Sequence, residues 1–151
     1  MKKFKFKLET VRMLRRLKKD QAMGELSKAI QRRVAQEDKI EKKQIEMKEL
    51  NEEIISARRF NFSSAKQSQY LSQFNDLHLE KVHLVAELSE CEAYEKEMRA
   101  NLAEATKGEK VMDNLYEKKK KVYAGILFKQ EEKELEDLMN ARNERYNLEA
   151  I

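Results

Sequence analysis

Residues 70–126 read YLSQFNDLHLEKVHLVAELSECEAYEKEMRANLAEATKGEKVMDNLYEKKKKVYAGI. Taken in alternating steps of four and three, the stretch gives Tyr70, Phe74, Leu77, Lys81, Leu84, Leu88, Cys91, Glu95, Met98, Leu102, Ala105, Glu109, Met112, Tyr116, Lys119, Tyr123 and Ile126. Thirteen of these 17 positions are apolar, where the overall 40% hydrophobic composition predicts about seven. A period of 3.5 residues sustained over this length draws one narrow apolar stripe along a helix, the signature of a coiled-coil seam. Such a stripe needs a partner helix along its length, and the rest of the chain has to supply it.

The composition agrees with long helices rather than a layered core. There are no prolines, three glycines and 40% charged residues, and the chain is rich in Glu, Lys, Leu, Gln and Ala. Thirty-two basic and 28 acidic residues are interleaved, as on solvated helix faces. The single Cys91 falls on the stripe and reads as a small buried hydrophobe, which fits a reducing cytosol. No apolar run approaches the roughly 20 residues a membrane span needs. The basic opening MKKFKFKLETVRMLRR has no apolar segment after it of the kind a signal peptide carries. The chain therefore reads as soluble, cytoplasmic and without a transmembrane segment.

Upstream, Lys3 to Lys7 alternate Lys and Phe in a short arm, extended or docked. A helical stripe starts at Leu8 with Val11, Leu14 and Leu17, and Glu9 or Thr10 suits its first turn. A second stripe, not quite in phase, runs Leu26, Ala29, Ile40, Met47, Leu50, Ile54 and Ala57, interrupted by Arg33, Gln36 and Lys43. Gly24 lies near the phase change and suggests a local adjustment there. The pattern breaks at Arg58-Arg59-Phe60-Asn61-Phe62-Ser63-Ser64, and Ser64 with Gln67 has the form of a capping box. The expected fold is all-α, a long two-helix antiparallel coiled-coil hairpin with a C-terminal helical overhang. It forms one domain, with arm one over about 8–58, the turn at about 59–64 and arm two over about 65–148.

Antiparallel pairing requires paired residue numbers with a constant sum. A sum of about 124 sets Ile54 against Tyr70, Leu50 against Phe74, Ile40 against Leu84 and Leu26 against Met98; a slip of one heptad preserves the seams. Further along, Arg15 faces Glu109 and Leu8 faces Tyr116. The arms are unequal, reaching roughly 80 and 130 Å at helical rise. Residues beyond about 123 are left without a partner in the same chain, although Leu127, Phe128, Leu135, Leu138, Met139 and Tyr146 continue an apolar stripe.

Catalytic patterns are missing. Lys107-Gly108-Glu109-Lys110 lacks the spacing of a phosphate loop, and Gly108 reads as a tolerated helix glycine. His78 and His83 are five residues apart, so they do not converge on a metal, and His83 is free to pair with Glu87. No enzyme activity, cofactor or metal is expected. Charge, by contrast, is organised: residues 1–20 hold nine basic and two acidic residues. In the hairpin they lie beside Lys118-Lys119-Lys120-Lys121, whereas residues 76–104 hold eight acids and three bases. The open end is basic and calls for a partner with an acidic surface.

Phe4-Lys5-Phe6-Lys7-Leu8-Glu9-Thr10-Val11, then Leu14, Arg15, Leu17 and Asp20-Gln21-Ala22, resemble the opening of the FliJ family, stalk proteins of the bacterial flagellar type III export apparatus. Lys133-Glu134-Leu135-Glu136-Asp137-Leu138 with Arg142 and Arg145 is similar to that family's charged C-terminal helix. Arg12-Met13 departs from it, where an aliphatic residue would be usual. The resemblance implies a non-enzymatic stalk or adaptor whose paired terminal helices enter the ring of a hexameric export ATPase. Its hinge end then meets the cytoplasmic domain of a membrane export gate, some members also handle export chaperones, and the protein associates peripherally with the inner-membrane export apparatus.

Carried over by position, the ATPase-facing residues are Phe4, Leu8, Arg12, Arg15, Arg16, Lys19, Lys118, Lys119, Lys120, Lys121, Leu135, Leu138 and Arg142. The gate-facing residues are Phe60, Phe62, Leu71 and Phe74. Three other readings stand beside this one: the equivalent stalk of a virulence type III secretion system, a generic coiled coil that dimerises through its tail, and a nucleic-acid-binding helical hairpin. The acidic middle of arm two argues against nucleic acid.

Overall fold

In the computed structural model, two helices account for nearly all of the chain: α1, Glu9–Arg58, and α2, Ser64–Glu149. Residues 3–60 and 62–149 are described, the last three of these by backbone alone; Asn61 of the expected turn lies outside them. The fold is the expected all-α hairpin. Helix α1 opens where the Arg12 amide bonds to the Leu8 carbonyl at 2.9 Å, with Glu9 in the first turn where a carboxylate favours the helix dipole. It closes with Arg58 in the last turn, and the amides of Arg59 and Phe60 reach back three residues to Ser56 and Ala57, a tightened end that satisfies otherwise free carbonyls.

The cap of α2 differs from the expected box by one residue. Ser63, rather than Ser64, accepts the Lys66 amide through its Oγ at 3.3 Å, and its carbonyl takes the Gln67 amide. The third helical position is thus Lys66, so the reciprocal Gln bond of a capping box has no place here. Gly24 sits inside an unbroken α1 with nothing within 4 Å of a Cβ, so no local adjustment occurs there.

The chain divides into two compact units: Lys19–Ala105, and Met1–Lys18 with Thr106–Ile151. In the first, both helices bury residues at the 3.5-residue period. From α1 come Ala29, Gln36, Ile40 and Leu50; from α2 come Glu95 and Met98, with Tyr70, Phe74, Leu77, Leu84, Leu88 and Cys91 half-buried. The pairing keeps within a residue or so of the expected register. The Tyr70 hydroxyl donates to Glu53, Lys43 meets Glu80, and the Gln36 amide donates to Glu87. A slip of seven residues would separate every one of these pairs by a full two turns.

The residues that interrupt the α1 stripe form polar layers of the same seam. Gln36 is buried and donates its Nε2 to the Leu84 carbonyl at 3.2 Å as well as to Glu87 at 2.7 Å. Arg33 donates Nε to Glu95 at 2.5 Å, and Arg99 adds two further bonds to the other oxygen of the same carboxylate. Bonds from Arg99 and Arg33 hold the buried Glu95 carboxyl below the usual carboxylate range. Lys43 lies between Glu80 and Glu46, and its ammonium is held above the ordinary lysine value, chiefly by Glu80. Among the described residues no buried side-chain polar atom lacks a partner, which is what makes polar layers tolerable in so thin a core.

In the second unit the first turns of α1 set Arg15 against α2 within a residue of the expected pairing, but their apolar stripe is turned away. Val11, Leu14 and Leu17 are 39%, 52% and 54% exposed. The seam instead continues the phase of the later stripe, down through Arg15 and Arg12. Arg12 is the most covered of these: its guanidinium lies 4.0 Å from the centre of the Tyr116 ring and its Nε donates to Asp113 at 2.6 Å. Arg16 meets Glu109 and Asp113. Arg15 lies across Gly108, where an added Cβ would come 3.1 Å from its guanidinium; the glycine supplies space for that crossing. The physical reason for the altered face is on α2: Gly108 offers room, and Glu109 and Asp113 offer negative charge, to the arginines that cross there.

Candidate functional site

Two surfaces stand out, each within one unit. The first gathers the N-terminal arm, the lysine run and the end of α2. The Glu9 amide bonds to the Phe6 carbonyl as the arm enters α1. The arm is docked through two phenylalanines. Phe4 stands against Tyr116 and Tyr123 at 5.6 and 5.4 Å between ring centres, and Phe6 meets Tyr116 edge-on at 5.3 Å. Tyr116 is thus the hub, with Phe4 and Phe6 packed T-shaped against it and Arg12 over its face, arrangements the ring quadrupole favours. Beside it an open groove of about 460 Å³ runs between the arm and α2, lined by Phe4, Leu8, Leu115, Val122, Tyr123 and Ile126 with Lys5, Lys7 and Lys119 at its edges.

Of the residues assigned to this surface, Leu8 and Lys118 to Lys121 are exposed, and Lys120 reaches to 6.0 Å from the Tyr116 ring centre. Phe4 and Lys19 are half-buried. Arg12 and Arg16 are engaged by Asp113 and Glu109, so much of their charge is spent holding the two helices together. The Asp113 carboxyl is held below its ordinary value, first by the hydrogen bond from Arg12, and Arg12 is raised in return. The positive charge offered to solvent comes instead from Lys3, Lys5, Lys7, Lys18 and the lysine run, all exposed.

Beyond Leu127 every residue to Tyr146 is exposed. Phe128, Leu135, Leu138, Met139 and Tyr146 are 59–67% exposed, an apolar series with charge between its members. Arg142 lies 5.7 Å from the Tyr146 ring centre, so this pair shields itself in part. Leu135, Leu138 and Arg142 are where a partner could reach them. The stripe Val11, Leu14 and Leu17, named in the sequence as the start of a helical seam, is exposed as well. Its steps of three, out of phase with the longer stripe, were the signal that it faces elsewhere.

The second surface is at the turn. Phe60 is 79% exposed and Leu71 62% exposed. Phe62 is half-buried, stacked on Tyr70 at 6.0 Å with the rings nearly parallel. Burial, and then Glu53, raises the Tyr70 hydroxyl above its ordinary value. Phe74 takes its place in the seam. Of the four residues assigned to the turn, Phe60 and Leu71 are thus the ones exposed to solvent.

The histidines behave as their spacing implies: His83 pairs with Glu87 four residues on at 3.2 Å, and His78 is exposed. Among the described residues no group of three His, Cys, Asp or Glu draws together, and no helix is long and apolar enough to cross a membrane. Compared with models of protein families, with curated proteins and with solved structures, the chain matches none.

Proposed function

We propose that this chain is a non-enzymatic stalk of a bacterial flagellar type III export apparatus, acting by insertion of its basic end into the export ATPase ring. The observation that carries the reading is the run of 19 exposed residues from Phe128 to Tyr146 with its apolar stripe. A helix pays for such a stripe only if something covers it. An annular partner suits it, because a ring can cover the end of α2 and the Val11, Leu14 and Leu17 face from several sides. The apolar side chains then supply affinity, and Lys3, Lys5, Lys7 and Lys118 to Lys121 steer approach to an acidic lumen. Phe60 and Leu71 are left for the contact at the membrane export gate, and chaperone handling belongs to the same reading.

The test is stimulation of a hexameric export ATPase by the full chain and by a form ending at Leu127. The full chain is expected to bind and stimulate, less so as salt rises, and the shortened form to do neither while keeping its helical seam. Phe60→Ser with Leu71→Ser should spare stimulation and weaken binding to the cytoplasmic domain of the gate. Equal stimulation by the shortened form would remove the tail from the interface.

A further inference from the structure

We propose that the end of α2 pairs with the same segment of a second copy, antiparallel, through Phe128, Glu131, Leu135, Leu138, Arg142 and Arg145. These six lie at spacings of three and four on one face of a helix whose residues from 128 to 146 are all exposed. Their order is close to a charge palindrome. Laid antiparallel about its centre, the face puts Leu135 against Leu138 of the other copy, Glu131 against Arg142, and Phe128 against Arg145, each twice. These are the alternating layers of an antiparallel coiled coil, with two ion pairs and two arginine–aromatic contacts outside a leucine centre. Met139 and Glu132 flank the leucines. Glu136 and Asp137 fall on the outer side, away from the seam, so the acids there do not face one another.

The charges also select the direction. A parallel pair in register would set Glu131 against Glu131, Arg142 against Arg142 and Arg145 against Arg145, a repulsion in three layers of six. No described segment of the same chain is available as the occupant. The N-terminal arm is committed to Tyr116 and Tyr123, and α1 begins at Glu9 beside Asp113. A second copy brings both the apolar face and the matching charge. The inference does not rest on the stalk reading, since it needs no other protein.

Sedimentation of the full chain across a concentration series, from about 1 to about 500 µM, is the test. A reversible monomer–dimer equilibrium is expected. Arg142→Glu, which sets like charges face to face in two layers, should weaken the dimer at least about tenfold, and Glu131→Arg should do the same. The double variant Glu131→Arg with Arg142→Glu should restore it, and an equimolar mixture of the two single variants should pair better than either alone. Both positions are exposed, so helical content by circular dichroism should not change. A chain that stays monomeric throughout overturns the proposal. So does a dimer indifferent to the single changes or not restored by the double one.

Discussion

Glu95 shows how much one position asks of its neighbours. It stands at a seam position of α2 that the period reserves for an apolar residue, it is 7% exposed, and three nitrogen donors from Arg33 and Arg99 close on its two oxygens. Its carboxyl is held below the ordinary range by those arginines. The stability it contributes is therefore complete above the unfolded value and is lost as pH falls through the folded one. The wild-type melting temperature should decline as pH drops below about 4, and Glu95→Gln should both lower the plateau near neutrality and flatten that decline. A steeper acid limb in the variant would contradict this account. Glycines make the complementary case. Gly24 has nothing within 4 Å of its missing Cβ, so Gly24→Ala should raise stability by about 1 kcal/mol through helix propensity alone. Gly108→Ala should gain less, because Arg15 must first move off the site; chemical denaturation of the two variants side by side measures the difference.

At the scale of the helix, the seam carries the stability and the end of α2 does not. Leu50 and Met98 are each under 10% exposed, and replacing either by Ala should cost about 2–5 kcal/mol, toward the lower end because a two-helix core opens readily to water. Leu84→Ala should cost less, Leu84 being only half-buried. Leu138→Ala should change the melting of dilute protein by no more than about 0.5 kcal/mol; a loss equal to that of Leu50→Ala would mean the tail is packed in the monomer. This division was legible in the sequence because one unbroken period from Tyr70 to Tyr123 leaves only one face to bury. The boundaries were legible too, since the charged helices have no Pro and the run from Phe60 to Ser64 breaks their pattern. The opening of α1 was not. It carries apolar side chains on two faces, and periodicity alone ranks Val11, Leu14 and Leu17 above Arg12 and Arg15. What decides is the facing helix, where Gly108, Glu109 and Asp113 receive the arginines. For the same reason Arg33, Gln36 and Lys43 looked like interruptions until Glu95, Glu87 and Glu80 stood across from them. Such layers contribute register more than energy, as a polar residue in a coiled-coil core does. Replacing Arg33 and Glu95 together by Leu should therefore keep or raise the melting temperature while letting the arms slip. Cysteine pairs at Met47 and Leu77, with Cys91 replaced, would report the slip as slower crosslinking within one chain.

For the molecule as a whole, the two proposals assign one exposed stripe to two partners, and this makes their relation measurable. Residues 128–146 cannot be covered by a second copy and by an ATPase ring at the same time, because both would use Leu135, Leu138 and Arg142. If both proposals hold, binding of the ring to the monomer draws the dimer apart by mass action, and raising the concentration of this chain weakens its own apparent affinity for the ring. The double variant Glu131→Arg with Arg142→Glu separates the two interactions. It preserves the palindrome, so a second copy still meets opposite charge at every layer. A ring surface built for the wild-type order of charge now meets the reverse. The variant should therefore sediment as wild type does and fail to stimulate the export ATPase, while the form ending at Leu127 should lose both properties. Salt divides them further: the lysines of the arm and of Lys118 to Lys121 are assigned to the proposed ring contact and lie outside the proposed dimer face, so raising ionic strength should weaken ring binding more steeply than dimerisation. A double variant that dimerises and still stimulates fully would show that the ring reads the leucines of this face and ignores its charges.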